Sequence, residues 1–381
     1  MKTSAIHRYR PDSADCGGEN PEYLSEQIIT YLGNKRALLA FIGRAVNAVR
    51  RELGRERLSM LDVFSGTGIV SRYFKRFASR LYVNDLESYC RLISSCYLAN
   101  RSGIDMALLE DALADLKCRV ERNLHGGFIT ELYAPRDEAA IRKGERVFYT
   151  IRNAMLIDTA RQEIALMPED LQKFFLGPLI YGASVHNNTC GVFKGFYKNS
   201  LGIGQYGGSG RNALTRIKGD IELTLPVFSN YCCDYQIFQK DALDACLEMP
   251  EEVDLAYLDP PYNQHPYGSN YFMLNLILDY KRPRRISAVS GIPSDWRHSK
   301  YNSWKHSQET LFRLVEIVRA KYILVSYNSE GFVEYDDFVS HLSGLGRLDI
   351  MSVEYNAYRA SRNLGDREIH VREYLFLLKR G

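Results

Sequence analysis

A short proline-rich segment combines the groups that would bind an exocyclic amine. Asp259-Pro260-Pro261-Tyr262 directly follows Val253–Leu258, an apolar run typical of a buried strand. Two prolines fix the backbone and remove two N–H donors, so the segment presents carbonyl acceptors, one carboxylate and an aromatic ring. This set suits an amino group on a flat ring, because two acceptors meet the two amine hydrogens. The simpler alternative is a proline-punctuated strand end with a surface aspartate.

A glycine turn lies much earlier in the chain. Leu58–Phe64 predicts a strand, Ser65-Gly66-Thr67-Gly68 follows it, and Ile69–Ala78 predicts a helix. Glycines let the backbone approach a ligand, and a helix N-terminus offers free N–H groups. The turn has neither the dinucleotide-binding nor the P-loop spacing, so taken alone it is equally well an ordinary strand–helix turn.

An acidic residue ends the next predicted strand. Arg80–Val83 is followed by Asn84 and Asp85, which completes a βαβ unit. An acidic side chain there can accept hydrogen bonds from both ribose hydroxyls, although a solvated loop carboxylate is the alternative. Together with the glycine turn, Asp85 favours a nucleoside-containing cofactor bound without a pyrophosphate clamp.

The elements that must position these residues lie on both sides of a segment that breaks the α/β pattern. Between Phe64 and Asp259 the chain is longer by about 100 residues than three βα units need, so we expect an insertion there. The periodicity predicts helices at Ala37–Arg51, Asp111–Leu124, Tyr271–Tyr280 and Leu311–Ala320, a strand at Tyr322–Tyr327, and two long strands at Leu348–Tyr355 and Glu368–Lys379.

Composition excludes several classes of protein. The chain has 381 residues, of which 45% are hydrophobic and 25% charged, which is typical of globular domains and not of disordered chains. A net charge of +3 is too small to indicate a nucleic-acid partner, so any basic surface must be local. The sequence has no apolar run of membrane-spanning length and a polar start, so we expect a cytoplasmic protein that does not bind membranes. The eight cysteines form no C-x-x-C pair, which favours reduced thiols and no metal site.

The order of these motifs resembles the adenine-N6 DNA methyltransferases of the α group, which are Dam-like enzymes. The matching pieces are Tyr31-Leu32-Gly33-Asn34-Lys35-Arg36, the turn at Phe64–Gly68, Asp85, Asp259–Tyr262 and Ile323–Asn328. The resemblance implies a three-layer, Rossmann-like α/β sheet with a C-terminal antiparallel hairpin. It also implies a catalytic domain of residues 1–110 and 233–381, interrupted by a DNA-recognition domain at 111–232.

The same resemblance implies S-adenosylmethionine as cofactor and assigns a role to each matching residue. Tyr31 and Lys35 would lie at its methionine end, with Lys35 facing the carboxylate. Asp259 and the Pro260 carbonyl would accept the hydrogens of adenine N6, beside Pro261, with Tyr262 stacked on a base flipped out of the duplex. The remaining cofactor contacts would be Phe64, Gly66 and Gly68 at the pocket border, Asp85 at the ribose, Asp241 near the cofactor's adenine, and Asp259.

We expect the insert to bind double-stranded DNA. The basic residues Lys194, Lys198, Arg211, Arg216 and Lys218 follow one another without compensating acids, and four of them, Lys194, Lys198, Arg211 and Lys218, are expected to contact phosphates. Solvated faces are the alternative for each segment. Two further basic groups follow in the sequence: Lys281, Arg282, Arg284 and Arg285, and then Arg359 and Arg362. The candidates for reading base edges are Asn187, Asn188, Tyr206 and Asn212.

Other functions stay open on the sequence alone. A cytosine-N4 methyltransferase is the nearest alternative, although a serine commonly replaces the aspartate of that motif in such enzymes. RNA adenine methylation fits less well, because the size of the insert suits reading of a duplex. A non-catalytic DNA-binding partner would have no need of Asp259, Lys35 and the glycine turn. A cognate restriction endonuclease is a further expected partner.

Overall fold

One mixed sheet organises the chain. In the computed structural model, which describes residues 18–208, 210, 213–356 and 370–381, seven strands form a sheet in the order β3-β2-β1-β4-β5-β7-β6. The strands are β1 (Leu58–Asp62), β2 (Ala78–Asn84), β3 (Asp234–Phe238), β4 (Val253–Leu258), β5 (Ala320–Asn328), β6 (Gly346–Asn356) and β7 (His370–Arg380). The first five strands pair in parallel, whereas β7 runs antiparallel between β5 and β6.

Helices cover both faces of the sheet. They are α1 (Leu39–Leu53), α2 (Ile69–Phe74), α3 (Ser88–Tyr97), α4 (Met106–Arg122), α5 (Phe128–Tyr133), α6 (Ile151–Ala165), α7 (Glu169–Val185), α8 (Leu214–Lys218), α9 (Ala242–Leu247), α10 (Tyr267–Asn270), α11 (Phe272–Asp279), α12 (Ser307–Ile317) and α13 (Tyr335–Ser343). Three short 3-10 turns lie at Lys35–Leu38, Arg101–Gly103 and Lys300–Asn302. No helix of the described residues is long and apolar enough to cross a membrane.

Alternate residues of each central strand face different layers. In β4, Leu255 and Tyr257 join the core shared with α1, α2, α3 and α11, whereas Ala256 and Leu258 join the core beneath α9, α12 and α13. All six residues of β4 are buried, as expected for a parallel strand covered on both faces. The expected three-layer α/β sheet with its C-terminal antiparallel pair is therefore confirmed.

The regular structure in the described part of the inserted region is helical, which the sequence pattern did not predict beyond α4. Helices α6 and α7 pack against α3 and α11, and Ile157 and Leu179 belong to the same buried core as Tyr89 and Met273. Neither helix has a single apolar stripe, because α7 is buried on several sides and α6 buries polar residues among its apolar ones. The division of the chain at residues 111 and 232 stays a prediction.

A buried arginine fixes the segment that precedes Tyr31. Arg72 on α2 is 1% exposed, and its guanidinium lies 4.6 Å from the ring centres of both Tyr23 and Tyr97. It donates hydrogen bonds to the backbone carbonyls of Tyr23, Glu26 and Gln27. One side chain thus helps to hold the N-terminal segment on the sheet domain by binding one buried and two partly buried carbonyls.

Replacing this arginine tests how firmly the segment is held. Arg72→Ala leaves the buried Tyr23 carbonyl without this donor and removes the packing between two tyrosine rings, so we expect the free energy of unfolding to fall by about 2–4 kcal/mol in urea titrations. Arg91→Ala, at an exposed position on α3, is the control and should stay within about 0.5 kcal/mol of the wild type. Equal stability of the two variants would contradict this role of Arg72.

Candidate functional site

A cavity opens where the parallel strands end. Parallel strands bring their carboxyl ends to one edge, and residues that follow β1, β2, β3 and β4 all line this cavity. It brings together Tyr31, Lys35, Phe64, Gly66, Asp85, Asp241, Asp259, Pro260, Pro261 and Tyr262. The structure therefore collects in one place residues that are spread over most of the sequence.

The two glycines of the turn have different surroundings. Gly66 lines the cavity with a φ of 51°, and a Cβ added there would lie 3.0 Å from Cε1 of Tyr31. Gly68, with a φ of 72°, precedes α2, and its added Cβ would face Ile93 and Ser94. Gly68 is outside the cavity wall, so its geometry supports the turn and not a direct ligand contact.

Asp85 closes the glycine turn from the neighbouring strand. Its carboxylate accepts hydrogen bonds from the backbone N–H groups of Gly66 at 2.8 Å and Glu87 at 2.9 Å. Burial raises the pKa of Asp85, although these hydrogen bonds oppose the shift. Glu87 also lines the cavity, and burial raises its pKa to about 7; its only sequence signal is its position two residues after Asp85.

Stacked tyrosines attach the N-terminal segment to the helices that follow the proline motif. The ring of Tyr31 lies 4.8 Å from that of Tyr267 and 4.6 Å from that of Tyr271, in stacked geometry. The N–H of Leu32 donates to the Tyr271 hydroxyl at 2.8 Å, and the Tyr267 hydroxyl donates to the Leu32 carbonyl at 3.1 Å. These contacts place Lys35 next to Asp259.

The ammonium group of Lys35 lies between two carboxylates. Its Nζ is 3.0 Å from Oδ1 of Asp259 and 2.9 Å from Oε1 of Glu373, and the lysine is 3% exposed. Burial raises the pKa of Asp259, while the Lys35 charge opposes this shift and the Glu373 charge adds to it. Glu373 comes from β7, and no sequence motif signalled it.

Tyr262 is supported from the neighbouring strand β5. Its ring meets the Tyr327 ring edge-on at 6.3 Å, and its carbonyl accepts a hydrogen bond from the N–H of Phe332 at 3.2 Å. Tyr262 therefore lines the cavity beside Asp259 with its ring direction set by the sheet. A carboxylate, a proline carbonyl and an aromatic face can together hold a flat base through its amino group.

The segment between α11 and α12 supplies a further wall that the sequence did not indicate. Arg297, Ser299, Tyr301 and Asn302 line the cavity. The Tyr301 ring meets the Phe64 ring edge-on at 5.0 Å, and the Asn302 side chain donates to the carbonyl of Asn263 at 2.7 Å. These residue types are common in loops, so only their tertiary position distinguishes them.

Three of the four expected phosphate-binding residues are exposed. Lys194, Lys198 and Lys218 all lie on the surface of the insert, whereas Arg211 lies outside the described residues. Lys198 and Lys218 line one depression together with Tyr206. Lys194 is close enough to His265 for its charge to lower the pKa of that histidine, after the larger effect of burial.

Several other expected DNA contacts are used inside the protein. Arg216 donates to the carbonyls of Asn187 and Thr189 at 2.9 and 3.1 Å, so it stabilises a loop. Asn187 and Asn188 are buried, and their side chains bond to backbone groups, so the expectation that they read base edges was wrong. Arg282 pairs with Glu131. Asn212, Arg359 and Arg362 lie outside the described residues.

Comparison with known proteins decides the family. The family described as D12 class N6 adenine-specific DNA methyltransferase matches the chain over residues 31–340. The chain belongs to this family. The methyltransferase is 27% identical to type II methyltransferase M.NlaIII of Neisseria lactamica, over 92% of this chain and 99% of that protein.

Two further relatives support the same membership. Type II methyltransferase M.CviAII of Paramecium bursaria Chlorella virus 1 is 27% identical, over 92% of this chain and 98% of that protein. Type II methyltransferase M.FokI of Planomicrobium okeanokoites is 27% identical over 90% of this chain, which spans 53% of that protein. The resemblance to adenine-N6 DNA methyltransferases seen in the motifs is confirmed, and the family implies S-adenosylmethionine as methyl donor.

The cavity wall fits such a cofactor. The missing Cβ of Gly66 leaves space beside the Tyr31 ring, and the Asp85 carboxylate lies directly behind this turn. A backbone that can be approached closely, next to an acidic strand end, is the arrangement that holds a nucleoside.

Gly66→Ala tests this space against a matched glycine. Both Gly66 and Gly54 have a positive φ, but nothing lies within 4 Å of a Cβ added at Gly54. Only Gly66→Ala therefore brings a methyl group into close contact with the Tyr31 ring. We expect both alanine variants to lose about 1 kcal/mol of stability from the strained backbone. Only Gly66→Ala should weaken binding of S-adenosylmethionine, by about tenfold in calorimetry. Equal cofactor affinity in the two variants would contradict the assignment.

Proposed function

We propose that this methyltransferase acts on a specific DNA site and transfers a methyl group from S-adenosylmethionine to N6 of a flipped-out adenine. One observation carries the proposal: Asp259, Tyr262, Lys35, Asp85 and the Gly66 turn line a single cavity. Family membership supports the reaction, and the cavity supports the assignment of these residues to it.

The cofactor would occupy the part of the cavity between the glycine turn and Asp241. The Asp85 carboxylate would accept hydrogen bonds from ribose hydroxyls, either in place of the Gly66 N–H or in addition to it. Phe64 would border the ligand. When bound, S-adenosylmethionine supplies an electrophilic methyl group on its sulfonium sulfur. Tyr31 would form the wall at the methionine end, where the family resemblance also places Lys35.

Asp259 and Pro260 would prepare the amino group for attack. The lone pair of adenine N6 is delocalised into the ring, which makes the nitrogen a weak nucleophile. Accepting its two hydrogens at the Asp259 carboxylate and the Pro260 carbonyl favours a pyramidal nitrogen with its lone pair free. The nitrogen loses one proton as the new N–CH₃ bond forms, and a carboxylate with a raised pKa is a suitable acceptor.

The target base must leave the duplex to reach this cavity. Extruding a nucleotide costs a few kcal/mol, and stacking on Tyr262 would return about 1–3 kcal/mol. The Tyr327 contact keeps the Tyr262 ring in one orientation, so little side-chain entropy is lost when the base arrives.

We infer that the exposed lysines of the insert bind the phosphates around the flipped base. Lys194 lies near His265, shortly after the proline motif, and the N–H of Phe193 donates to the carbonyl of Asn270 at 2.7 Å. The insert is thus attached to the cavity mouth, where the backbone of a bound duplex would pass.

A restriction endonuclease of the same site specificity is a further proposed partner. Support comes from the names of relatives: beside the type II methyltransferases, one is modification methylase StsI of Streptococcus sanguinis. Both enzymes of such a pair would have to recognise one DNA sequence.

Asp259→Ala tests the chemistry. Without the carboxylate the amine loses its acceptor, so we expect methyl transfer to be abolished while the affinity for S-adenosylmethionine stays within about tenfold. The measurement is expression in a host that lacks adenine methylation, followed by sequencing that detects modified bases, with calorimetry for the cofactor.

Asp244→Ala, at an exposed position on α9, is the matched control and should methylate like the wild type. Methylated cytosine in place of adenine would overturn the proposed substrate. A folded Asp259→Ala protein with near wild-type transfer would overturn the role of the carboxylate.

Alanine variants of Lys194, Lys198 and Lys218 test the DNA-binding surface. Phosphates carry no sequence information, so each variant should weaken binding to all duplexes alike. Each lost contact should also flatten the slope of log affinity against log salt by about 0.9. Fluorescence anisotropy across a salt series measures both effects, with Lys117→Ala, exposed on α4, as control. If all three slopes equal that of the control, these lysines do not contact the duplex.

A further inference from the structure

Three segments that are far apart in sequence meet at the ammonium group of Lys35. Asp259 follows β4, Glu373 lies within β7, and Lys35 opens the 3-10 turn before α1. Lys35 Nζ is within 3.0 Å of an oxygen of each carboxylate. Lys35 and Asp259 line the cavity, whereas Glu373 is buried in β7 and influences the site through its contact with Lys35 and through its charge.

The sheet itself fixes the position of Glu373. The residue is completely buried, and in the strand register it lies opposite Asn328 of β5 and Val353 of β6. The hydroxyl of Ser326 donates to the same Glu373 oxygen, at 2.5 Å, that contacts Lys35. A buried carboxylate is costly to desolvate, so its retention at this position calls for a compensating role or partner.

We propose that Glu373 is a positioning residue for methyl transfer: it shares the Lys35 ammonium with Asp259 and so keeps the Asp259 carboxylate available to the adenine amine. This inference rests on the proposed contact between Asp259 and the amine. Glu373 touches neither base nor cofactor in this arrangement; it acts through its contact with Lys35 and through its charge near Asp259.

Charge balance is the physical reason. A lone buried Lys35–Asp259 pair would be neutral, and the ammonium would draw electron density from the carboxylate that must accept the amine hydrogens. A second carboxylate in contact with the same ammonium leaves the group of three with a net negative charge. Burial, opposed by Lys35 and reinforced by Glu373, raises the pKa of Asp259 to about 7.

Other ionisable groups also face Asp259. They are Asp62 on β1, whose pKa burial raises to about 7, and the tyrosines Tyr257, Tyr262 and Tyr267. Burial raises the pKa of each tyrosine above its ordinary value, beyond the pH range of the test, and the charges that shift the pKa of Asp62 are those of Asp259 and Asp85. A comparison of the two profiles therefore isolates the effect of Glu373.

The test is Glu373→Gln, which keeps the shape and one acceptor oxygen but removes the charge. Single-turnover methyl transfer to unmethylated genomic DNA is measured with saturating S-adenosylmethionine from about pH 5.5 to pH 8.5. The Glu373 charge raises the pKa of Asp259, so its removal lowers that pKa. The acid limb of the rate profile should move down by about one pH unit, and the plateau rate should fall about tenfold.

Glu354→Gln on β6 is the matched control, since its carboxylate is exposed and pairs with Arg372, next to Glu373 in sequence. Its profile should equal that of the wild type. If Glu373 had only a structural role, Glu373→Gln would lower the melting temperature without moving the acid limb of the rate profile. An unmoved limb in folded Glu373→Gln protein overturns the proposal.

A second variant covers the case in which Glu373→Gln does not fold. Glu373→Asp keeps the charge but has a shorter side chain. The acid limb of the rate profile should therefore move in the same direction by a smaller amount, and a rate profile equal to that of the wild type overturns the proposal. Asp259→Ala distinguishes a failure of the role proposed for Glu373 from a failure of the role proposed for Asp259. If that variant is inactive while the Glu373→Gln limb stays in place, only the role of Glu373 fails; if it is active, the proposed use of Asp259 fails first.

Discussion

Parallel pairing is the constraint on which the site depends. Because β3, β2, β1 and β4 run in one direction, the residues that follow them are forced to a single edge of the sheet. There the chain leaves regular hydrogen bonding, and backbone and side-chain groups become available to a ligand. Asp85, Asp241 and Asp259 reach one cavity for this reason and not because of any contact between them.

Three carboxylates at one edge of the sheet repel each other, and the structure stabilises each negative charge with a different partner. Asp85 is held by backbone N–H groups of the turn next to it, and Asp241 accepts the N–H of Leu243 at the start of α9. Asp259 instead faces Lys35, which belongs to a segment attached through Arg72 and stacked tyrosines. The cation beside the proline motif is therefore supplied from outside the sheet, and its position depends on tertiary packing.

The inserted helices are part of the same core as the catalytic sheet. Residues of α6 and α7 are buried with residues of α3 and α11, so the orientation of the insert relative to the cavity is set by a large apolar contact. Such packing keeps the exposed lysines of the insert at a fixed distance from Tyr262.

The sequence alone determined the parts of this protein that depend on local chemistry. Short-range patterns predicted β4, the glycine turn, the acidic end of β2 and the proline motif, because residue type and spacing are sufficient for these features. The motif order also predicted the family. Helix α7 was missed because it is buried on several sides, and α6 was missed because it buries Asn153, Asp158 and Thr159 among its apolar residues, so neither shows one apolar stripe.

Only the tertiary structure decided which polar residues serve the site and which serve the fold. Arg216, Asn187 and Asn188 are residue types typical of a DNA-binding surface, yet their side chains bond to backbone groups elsewhere in the insert. Glu373 has no motif around it, yet the register of β5 and β7 brings it to Lys35. A side chain's burial and partners depend on contacts between distant segments, and the sequence pattern carries no record of those contacts.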